Sequence, residues 1–289
     1  MKIAYLIVAH NNYEHLKRLI TALDEHACRF YIHIDKKSPL PHLKADNIIF
    51  LQDRVNVHWS GFSMVRVTLN LLHRAIADEN DYFVLISGAD YPIQPNSYLY
   101  EKLKEGGEYI TIKKGCDEYN PLSRYKYYYF TDHYNRRNKS KLTTRFFLWF
   151  QKMLRKLQIK KKIPFQLYTG TQWFILSQAC VKYILEEAEG NKNYVRFFKT
   201  AFCSDEGFFQ TIIGNSEFYH QTKDNLTYAD WSVDPGPAII TEQHIDILKN
   251  VKEKFFARKF NDDSFTIIER IEKELRNSLP RMSHGHTNV

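Results

Sequence analysis

The chain alternates between runs of consecutive apolar residues and segments in which apolar residues recur at helical spacing. The runs predict strands at 2–10, 29–35, 47–52 and 81–88, and the helical spacing predicts helices at 11–26 and 62–79. This alternation is typical of an α/β fold, in which helices cover a largely parallel sheet. Such sheets bind ligands beyond the carboxyl ends of their strands, so His10, Asp35 and Asp90, which lie at such ends, are candidate site residues.

The second half of the chain mixes strands and helices less regularly. Apolar and aromatic runs predict strands at 108–114, 124–130, 171–177 and 226–232, and a helix is predicted at 264–279. No repeat, low-complexity tract or Pro/Gly linker divides the chain. We therefore expect one continuous domain over 1–289.

Composition indicates a globular protein, since 289 residues with 44% hydrophobic and 15% aromatic content can bury a sizeable core. The first apolar run is too short for a signal peptide, and no apolar stretch approaches the ~20 residues that cross a bilayer. We therefore expect a cytoplasmic location. Four cysteines stand far apart without metal-ligand spacing, which predicts reduced, mostly buried thiols: Cys28, Cys116, Cys180 and Cys203.

The positive charge is local. The net charge is +8, but 136–162 holds eleven Lys/Arg and no Asp/Glu, so the rest of the chain carries −3. Apolar residues interleave with these charges: Phe146, Phe147, Leu148, Trp149, Phe150, Met153, Leu154 and Leu157. One interpretation is an amphipathic helix on an anionic membrane surface, which would place the protein at the inner face of the cell membrane. The other is a core-packed helix with a solvated basic face. No recognisable nucleic-acid-binding module surrounds the segment, so no nucleic-acid partner is expected.

Several short motifs occur in an order that carries a resemblance to a known family. They are YLIVAHNN, YIHIDKKS, VHWSGFSMV, LISGADYPI, TGTQWFILS, CSDEGFFQTI, YADW and FFARKF. In this order the chain resembles the core-2/I-branching β-1,6-N-acetylglucosaminyltransferase family, which also contains the peptide O-xylosyltransferases, and it looks like a bacterial-type cytoplasmic member. The resemblance implies a GT-A-like nucleotide-sugar-binding fold with a mixed, largely parallel central sheet flanked by helices. It also implies a UDP-sugar donor, inversion at the anomeric carbon, and a UDP-binding half at 1–115 before an acceptor and catalytic half at 116–289.

The run VLISGADYPI ends in a single carboxylate, Asp90. Many GT-A transferases carry Asp-x-Asp after such a strand, because paired carboxylates hold a divalent ion that neutralises the departing diphosphate. One carboxylate is a poor magnesium site, and the resemblance implies a transferase that works without a metal, so we expect no metal and no other cofactor. Asp90 then orients a loop or hydrogen-bonds the sugar, or it forms an Asx-type turn before Pro92.

Without a metal, side-chain cations must stabilise the leaving UDP. FFARKF offers Arg258 and Lys259, and the resemblance assigns the phosphate contact to Lys259. A second basic residue has no clear match, and Arg258, Lys223 or a residue of the basic segment are the alternatives.

The general base is assigned through CSDEGFF, where Glu206 matches the family's catalytic glutamate. A positioned carboxylate is the usual group that deprotonates an attacking hydroxyl. From the residues alone, Ser204 is also a plausible helix N-cap, with Asp205 and Glu206 complementing the helix dipole. Because a helix N-terminus lowers the basicity of a carboxylate, burial or an apolar neighbour such as Phe202 must offset it.

The resemblance implies further site residues by position. The donor set, together with Arg258 and Lys259, is Val8, Ala9, Asp35, Trp59, Gly61 and Ser63. The sugar and acceptor set is Asp90, Thr171, Trp173, Asp205 and Trp231. Trp59 suits base stacking, with a core tryptophan as the alternative. His10 and His33 lack metal-ligand partners and are expected to be structural or supporting residues.

The predicted function is an inverting, metal-independent transfer of a sugar from a UDP donor to a hydroxyl of a saccharide or lipid-linked oligosaccharide. N-acetylglucosamine is the first candidate for the transferred sugar. The alternative within the class is a xylosyltransferase that uses UDP-xylose. The alternative outside it is a non-catalytic carbohydrate- or nucleotide-binding protein.

Overall fold

The computed structural model describes residues 1–136, 138–233 and 236–277. The strands are β1 Ile3–Ala9, β2 Cys28–Ile34, β3 Ile48–Phe50, β4 Tyr82–Ser87, β5 Asp90–Pro92, β6 Glu108–Lys114, β7 Tyr168–Ser177, β8 Thr222–Lys223, β9 Thr227–Ala229 and β10 Phe256–Arg258. The α-helices are α1 Tyr13–Leu23, α2 Phe62–Ile76, α3 Asn96–Lys104, α4 Ser123–Lys126, α5 Leu142–Lys156, α6 Gln178–Gly190, α7 Lys192–Phe198, α8 Phe208–Gly214, α9 Ile245–Asn250 and α10 Phe265–Ile271. Short 3₁₀ segments cover Thr131–His133, Ser204–Glu206, Glu217–Gln221 and Glu242–His244, and a π-helical turn covers Glu272–Arg276.

The central sheet has seven strands in the order β3-β2-β1-β4-β7-β6-β8. Strands β3, β2, β1 and β4 run parallel, β7 is antiparallel to β4 and β6, and β8 is parallel to β6. Tyr5 and Leu6 face opposite sides of β1 and both are buried, which explains why the parallel strands read as continuous apolar runs. The predicted α/β class with a mixed, largely parallel sheet is confirmed.

One face of this sheet carries the main hydrophobic core. Helices α2, α6 and α8 supply buried residues to it, including Val65, Ile184 and Ile212, which pack with Phe83 and Phe174 of the sheet. Regular apolar spacing predicted α2 from the sequence, at 62–79. The core therefore fixes the sheet and the segments that leave its strand ends.

Contacts divide the chain into two compact units, each built from three segments. The first, Met1–Asn11, Glu25–Gly88 and Gly107–Asn225, holds the seven-stranded sheet. In the described chain, the second consists of Asn12–Asp24, Ala89–Gly106 and 226–277. It holds a three-stranded sheet in which β10 lies antiparallel to β5 and parallel to β9. One domain over 1–289, with a UDP-binding half at 1–115 and an acceptor half at 116–289, stays a prediction.

Residues 124–130 were predicted as a strand, and this prediction is wrong. Helix α4 ends at Lys126, and the N–H of Tyr129 then donates to the carbonyl oxygen of Thr200 outside any sheet. Aromatic residues favour strands, but Tyr125 packs against Phe198 and is fully buried. Tertiary packing of the rings therefore overrides the strand propensity.

The helix predicted at 264–279 is shorter than expected. Helix α10 ends at Ile271 and a π-helical turn continues to Arg276, while 278 and 279 lie outside the described residues. Across the described ranges, no helix combines the length and apolar content needed to cross a bilayer.

Gly170 in β7 generates a stability prediction. A Cβ added there would lie 1.8 Å from the backbone oxygen of Thr111, next to the β6–β7 irregularity. We expect Gly170→Ala to lower the free energy of unfolding by about 1–3 kcal/mol, because backbone cannot move aside cheaply. Urea denaturation measures this. The control is Gly190→Ala at the end of α6, where a Cβ meets nothing within 4 Å, and equal losses in both variants would contradict the prediction.

Candidate active site

The carboxyl ends of three parallel strands come together in the first unit. The N–H of Asp35, just after β2, donates to the carbonyl oxygen of Ala9 at 2.9 Å. The N–H of Gly88, just after β4, donates to the carbonyl oxygen of Val8, also at 2.9 Å. Val8, Ala9 and Asp35, which were predicted to share the donor pocket, are therefore neighbours. Their contact with a nucleotide stays a prediction.

The Asp35 carboxylate is largely buried and holds a lysine. Lys37 donates from its backbone N–H to Asp35 Oδ1 at 2.9 Å and from Nζ to Oδ2 at 3.0 Å. The same ammonium donates to Asn56 Oδ1 at 2.7 Å and to the carbonyl oxygen of Val57 at 2.6 Å. Asp35 thus ties the end of β2 to the segment that leads into α2.

The turn before α2 is held by side chains that were predicted to contact the donor. Ser63 Oγ accepts from the N–H of His58 at 2.9 Å, and Asp132 Oδ1 accepts from the N–H of Ser63 at 3.1 Å. A Cβ at Gly61 would lie 2.0 Å from Asp132 Oδ1. Gly61 and Ser63 therefore have a structural role, because they allow Asp132 to pack against the start of α2. Their contacts with the donor stay predictions.

Trp59 lies on the surface, not in the core. Its side chain is 56% exposed, and its ring meets Phe202 edge-on with centroids 5.7 Å apart. Phe202 also packs against Tyr129, and the Arg136 guanidinium lies over its ring at 4.6 Å. This excludes the core-tryptophan alternative and leaves an aromatic and cationic surface next to the segment that carries Glu206.

Glu206 ends the 3₁₀ turn that leads into α8. Cys203 precedes the turn with a left-handed φ of 53°, and its N–H donates to the carbonyl oxygen of Ser60 at 3.0 Å. The predicted N-cap role of Ser204 is wrong, because its hydroxyl donates to the carbonyl oxygen of Phe198 at 2.8 Å. The turn is therefore positioned by backbone contacts with neighbouring segments.

The Glu206 carboxylate is held by an arginine. Arg124 Nη1 donates to Glu206 Oε2 at 2.5 Å and to Asn120 Oδ1 at 2.9 Å. Asn120 Nδ2 in turn donates to the carbonyl oxygen of Gly170 in β7 at 3.2 Å. Glu206 Oε1 accepts no hydrogen bond from the described residues, and the side chain is 31% exposed. One carboxylate oxygen is thus fixed by Arg124, and the other has no hydrogen-bond partner among the described residues.

Burial sets the charge state of the two adjacent carboxyl groups. It raises the pKa of Glu206, and the Arg124 cation opposes this rise. It also raises the pKa of Asp205, with the charge of Glu206 as the second cause. Among the described residues, the buried Asp205 Oδ1 has no hydrogen-bond partner, which is costly for an ionised oxygen. The pKa of both carboxyl groups is therefore raised, and Glu206 is the one whose rise is opposed by a hydrogen-bonded cation, Arg124.

Arg124 and Asn120 were not identified from the sequence. Arg124 was assigned to a predicted strand, and no spacing in the chain connects it to a glutamate 82 positions away. Only the fold brings them together, through α4 and the 3₁₀ turn. The expected offset to the helix dipole was correct in direction, since burial raises the pKa of Glu206.

Two predicted residues lie on β7. Thr171 is exposed, its Oγ1 accepts from Asn225 Nδ2 at 3.2 Å, and its carbonyl oxygen accepts from Gln210 Nε2 at 2.6 Å. Trp173 is partly buried against the hydrophobic core. Thr171 is one residue from Gly170, so the start of β7 is connected to Arg124 through Asn120.

The remaining predicted residues belong to the second unit. Asp90 is fully buried in β5, and Arg258 Nε lies 3.3 Å from its Oδ1 across the β5–β10 pair. Burial lowers the pKa of Arg258, and Asp90 opposes this. The geometry favours a role for Asp90 in holding Arg258 over direct sugar contact. Lys259 follows β10, and Trp231 is largely exposed.

The histidine and cysteine expectations have simple structural counterparts. His33 Nε2 accepts from the N–H of Val55 at 2.8 Å, and burial lowers the pKa of His33 to about 4, so the ring is neutral and structural. All four cysteines have free thiols, and Cys116 is the one that is partly exposed. Within the described ranges, no group of three or more His, Cys, Asp or Glu side chains could hold a metal ion.

Named proteins resemble the chain along most of its length. Xylosyltransferase 2 of Canis lupus familiaris and of Homo sapiens are each 25% identical over 313 residues, which covers 97% of this chain and 34% of those proteins. The beta-1,3-galactosyl-O-glycosyl-glycoprotein beta-1,6-N-acetylglucosaminyltransferase 3 of Bos taurus is 23% identical over 220 residues, 73% of this chain and 46% of that protein. The chain thus spans about a third of the length of the xylosyltransferases it matches.

Among solved structures, mouse xyloside xylosyltransferase 1 in its apo form aligns with a TM-score of 0.36 at 11% identity, covering 91% of this chain and 99% of that one. A TM-score this low is no evidence for a shared function. The match that decides the family is the model described as "Core-2/I-Branching enzyme", which fits residues 3–258. This range contains Glu206, Arg124 and the parallel strands β1 to β4. The chain therefore belongs to the Core-2/I-Branching enzyme family.

Proposed function

We propose that the protein is a glycosyltransferase that moves a sugar from a UDP-sugar to a saccharide hydroxyl, with Glu206 as the general base. Family membership supports the reaction class, and the relatives carry the names of xylosyl- and N-acetylglucosaminyltransferases. The observation that carries the assignment is the Glu206 carboxylate, which has one oxygen held by Arg124 and the other open.

In the proposed step, Glu206 Oε1 takes the proton of the acceptor hydroxyl as the hydroxyl oxygen attacks the anomeric carbon. The new glycosidic bond forms while the bond from that carbon to the diphosphate breaks, and UDP leaves with the bonding electron pair. A single displacement of this kind inverts the anomeric configuration.

On the donor side, we propose that side-chain cations stabilise the leaving UDP and that transfer needs no divalent ion. The resemblance of FFARKF to the family pattern assigns the phosphate contact to Lys259. Arg258 already faces the buried Asp90 carboxylate, which supports a role in positioning the strand end before Lys259. Hydrogen-bond donors aimed at developing negative charge are typically the largest single electrostatic contribution in such sites.

N-acetylglucosamine is the first candidate for the transferred sugar. Xylose is the second, because the more similar named relatives are xylosyltransferases, although they are only 25% identical to this chain. The exposed ring of Trp59 beside Phe202 suits stacking of the uracil base.

A matched pair of substitutions tests the base. Glu206→Gln keeps the shape of the side chain and removes its basicity, so kcat should fall by roughly 10²–10⁴-fold with the UDP dissociation constant little changed. Asp205→Asn makes the same carboxyl-to-amide change at the adjacent residue, which is not the proposed base, so its loss should be less than about tenfold, within the range of a non-catalytic contact. Near-normal turnover of the Glu206 variant would show that the base is another residue.

A donor panel tests the reaction and its metal requirement together. UDP release is measured with UDP-N-acetylglucosamine, UDP-xylose, UDP-galactose and UDP-glucose, each with EDTA and with added Mn²⁺. We expect the highest kcat/KM with UDP-N-acetylglucosamine and no effect of EDTA. Activity that EDTA abolishes and Mn²⁺ restores would contradict metal independence. Thermal stabilisation by a donor without turnover of any donor would instead establish a binding protein.

A further inference from the structure

Helix α5 presents an apolar stripe to solvent. Leu142, Phe146, Trp149 and Leu157 are exposed by 78%, 55%, 58% and 61%. They recur at the spacing that places residues on one face of a helix, and the Phe146 and Trp149 rings contact each other at 6.2 Å. Contiguous apolar surface of this kind marks interaction sites in soluble proteins.

The other side of α5 is attached to the protein by hydrogen bonds and by aromatic packing. Thr144 and Gln151 are its buried residues. Thr144 Oγ1 donates to the carbonyl oxygen of Asn135 at 3.2 Å, and Gln151 Nε2 donates to the hydroxyl of Tyr134 at 2.8 Å. An ordinary surface helix turns its apolar stripe inward and its polar face outward. In α5 some apolar side chains do pack inward, because Phe147 and Phe150 contact Phe130, but the stripe itself remains largely exposed.

Cations flank the stripe. Arg145, Lys152 and Lys156 are exposed. Arg145 lies four residues before Trp149, and Lys152 and Lys156 lie three and seven residues after it, so all three are beside the stripe on the helix surface. The segment 136–162 contains no acidic residue, and no ion pair joins a carboxylate to its described lysines and arginines. Holding these charges on one surface costs self-repulsion that an anionic partner would relieve.

Several residues of the segment 136–162 face the protein and do not belong to its outer surface. Phe147, which was expected on the outer surface, stacks on Tyr134 with centroids 5.4 Å apart and faces inward. Lys161 is buried, donates to the carbonyl oxygen of Phe197 at 3.0 Å, and has its pKa lowered to about 7 by burial. Arg155 packs over the Tyr129 ring at 4.9 Å. The exposed cations beside the apolar stripe are therefore Arg145, Lys152 and Lys156, without Arg155 and Lys161.

We propose that α5 docks on the surface of an anionic lipid bilayer. Its apolar stripe enters the boundary between headgroups and acyl chains, and the flanking Arg145, Lys152 and Lys156 lie against anionic headgroups. A bilayer surface offers both chemistries at once, in the same plane and over the length of the helix.

Other occupants fit the apolar stripe and its flanking cations less well. A second copy docked symmetrically on the stripe would bring the same cations face to face, which costs energy at the contact. A nucleic acid would neutralise the charges and stack on Phe146 or Trp149, but it would leave the aliphatic Leu142 and Leu157 without a partner.

Vesicle binding tests the charge component. The wild-type protein should bind phosphatidylcholine vesicles that contain phosphatidylglycerol and not phosphatidylcholine alone. The triple variant Arg145→Gln, Lys152→Gln and Lys156→Gln should lose on the order of 100-fold in affinity at low salt, and less at physiological salt, where charges are screened. The control replaces Lys44, Lys182 and Lys199, three exposed lysines elsewhere, with Gln and should bind like the wild type.

A second pair of variants tests the apolar component. Phe146→Ser with Trp149→Ser should weaken binding to the same vesicles by at least tenfold, while Tyr119→Ser, at another exposed aromatic, should not. Three outcomes would overturn the proposal: a wild-type protein that ignores anionic vesicles, a concentration-dependent dimer that Phe146→Ser abolishes, or equal losses in the control triple variant.

Discussion

The hydrogen bond between Arg124 and Glu206 is the interaction on which the candidate site depends. Burial raises the pKa of the Glu206 carboxyl, which keeps the group basic. Arg124 holds one oxygen at 2.5 Å and opposes this rise, because a cation beside a carboxylate favours its ionised form. The same arginine is hydrogen-bonded to Asn120, and Asn120 is hydrogen-bonded to the backbone of β7. The sheet therefore anchors Arg124 beside Glu206.

The neighbouring Asp205 shows why this balance is local. Burial raises the pKa of both carboxyl groups, yet among the described residues only Glu206 has a cation within hydrogen-bond distance. The two groups therefore differ in their electrostatic surroundings although they are adjacent in sequence. Similar reasoning separates Asp90, which is buried against Arg258, from a carboxylate that could meet a ligand.

Much of the fold could be predicted from the sequence, because buried parallel strands read as unbroken apolar runs and α2 shows regular helical spacing. Glu206 was found through a short motif. Arg124 was missed because its contact with Glu206 is long-range, and the aromatic run after it imitates a strand. The outward face of α5 also needed the structure: sequence shows that a helix is amphipathic, but not which face is attached to the protein.

The most direct test of the central claim is the pH dependence of kcat/KM in Arg124→Gln, with Arg124→Lys as the control that keeps the charge. A base acts only when ionised, and removing the cation raises the pKa of Glu206. The acid limb should therefore move to higher pH by about one unit or more in the Gln variant, with activity recovering at high pH, and should stay near its wild-type position in the Lys variant. An acid limb that does not move, or a loss that is equal at every pH, would contradict the account.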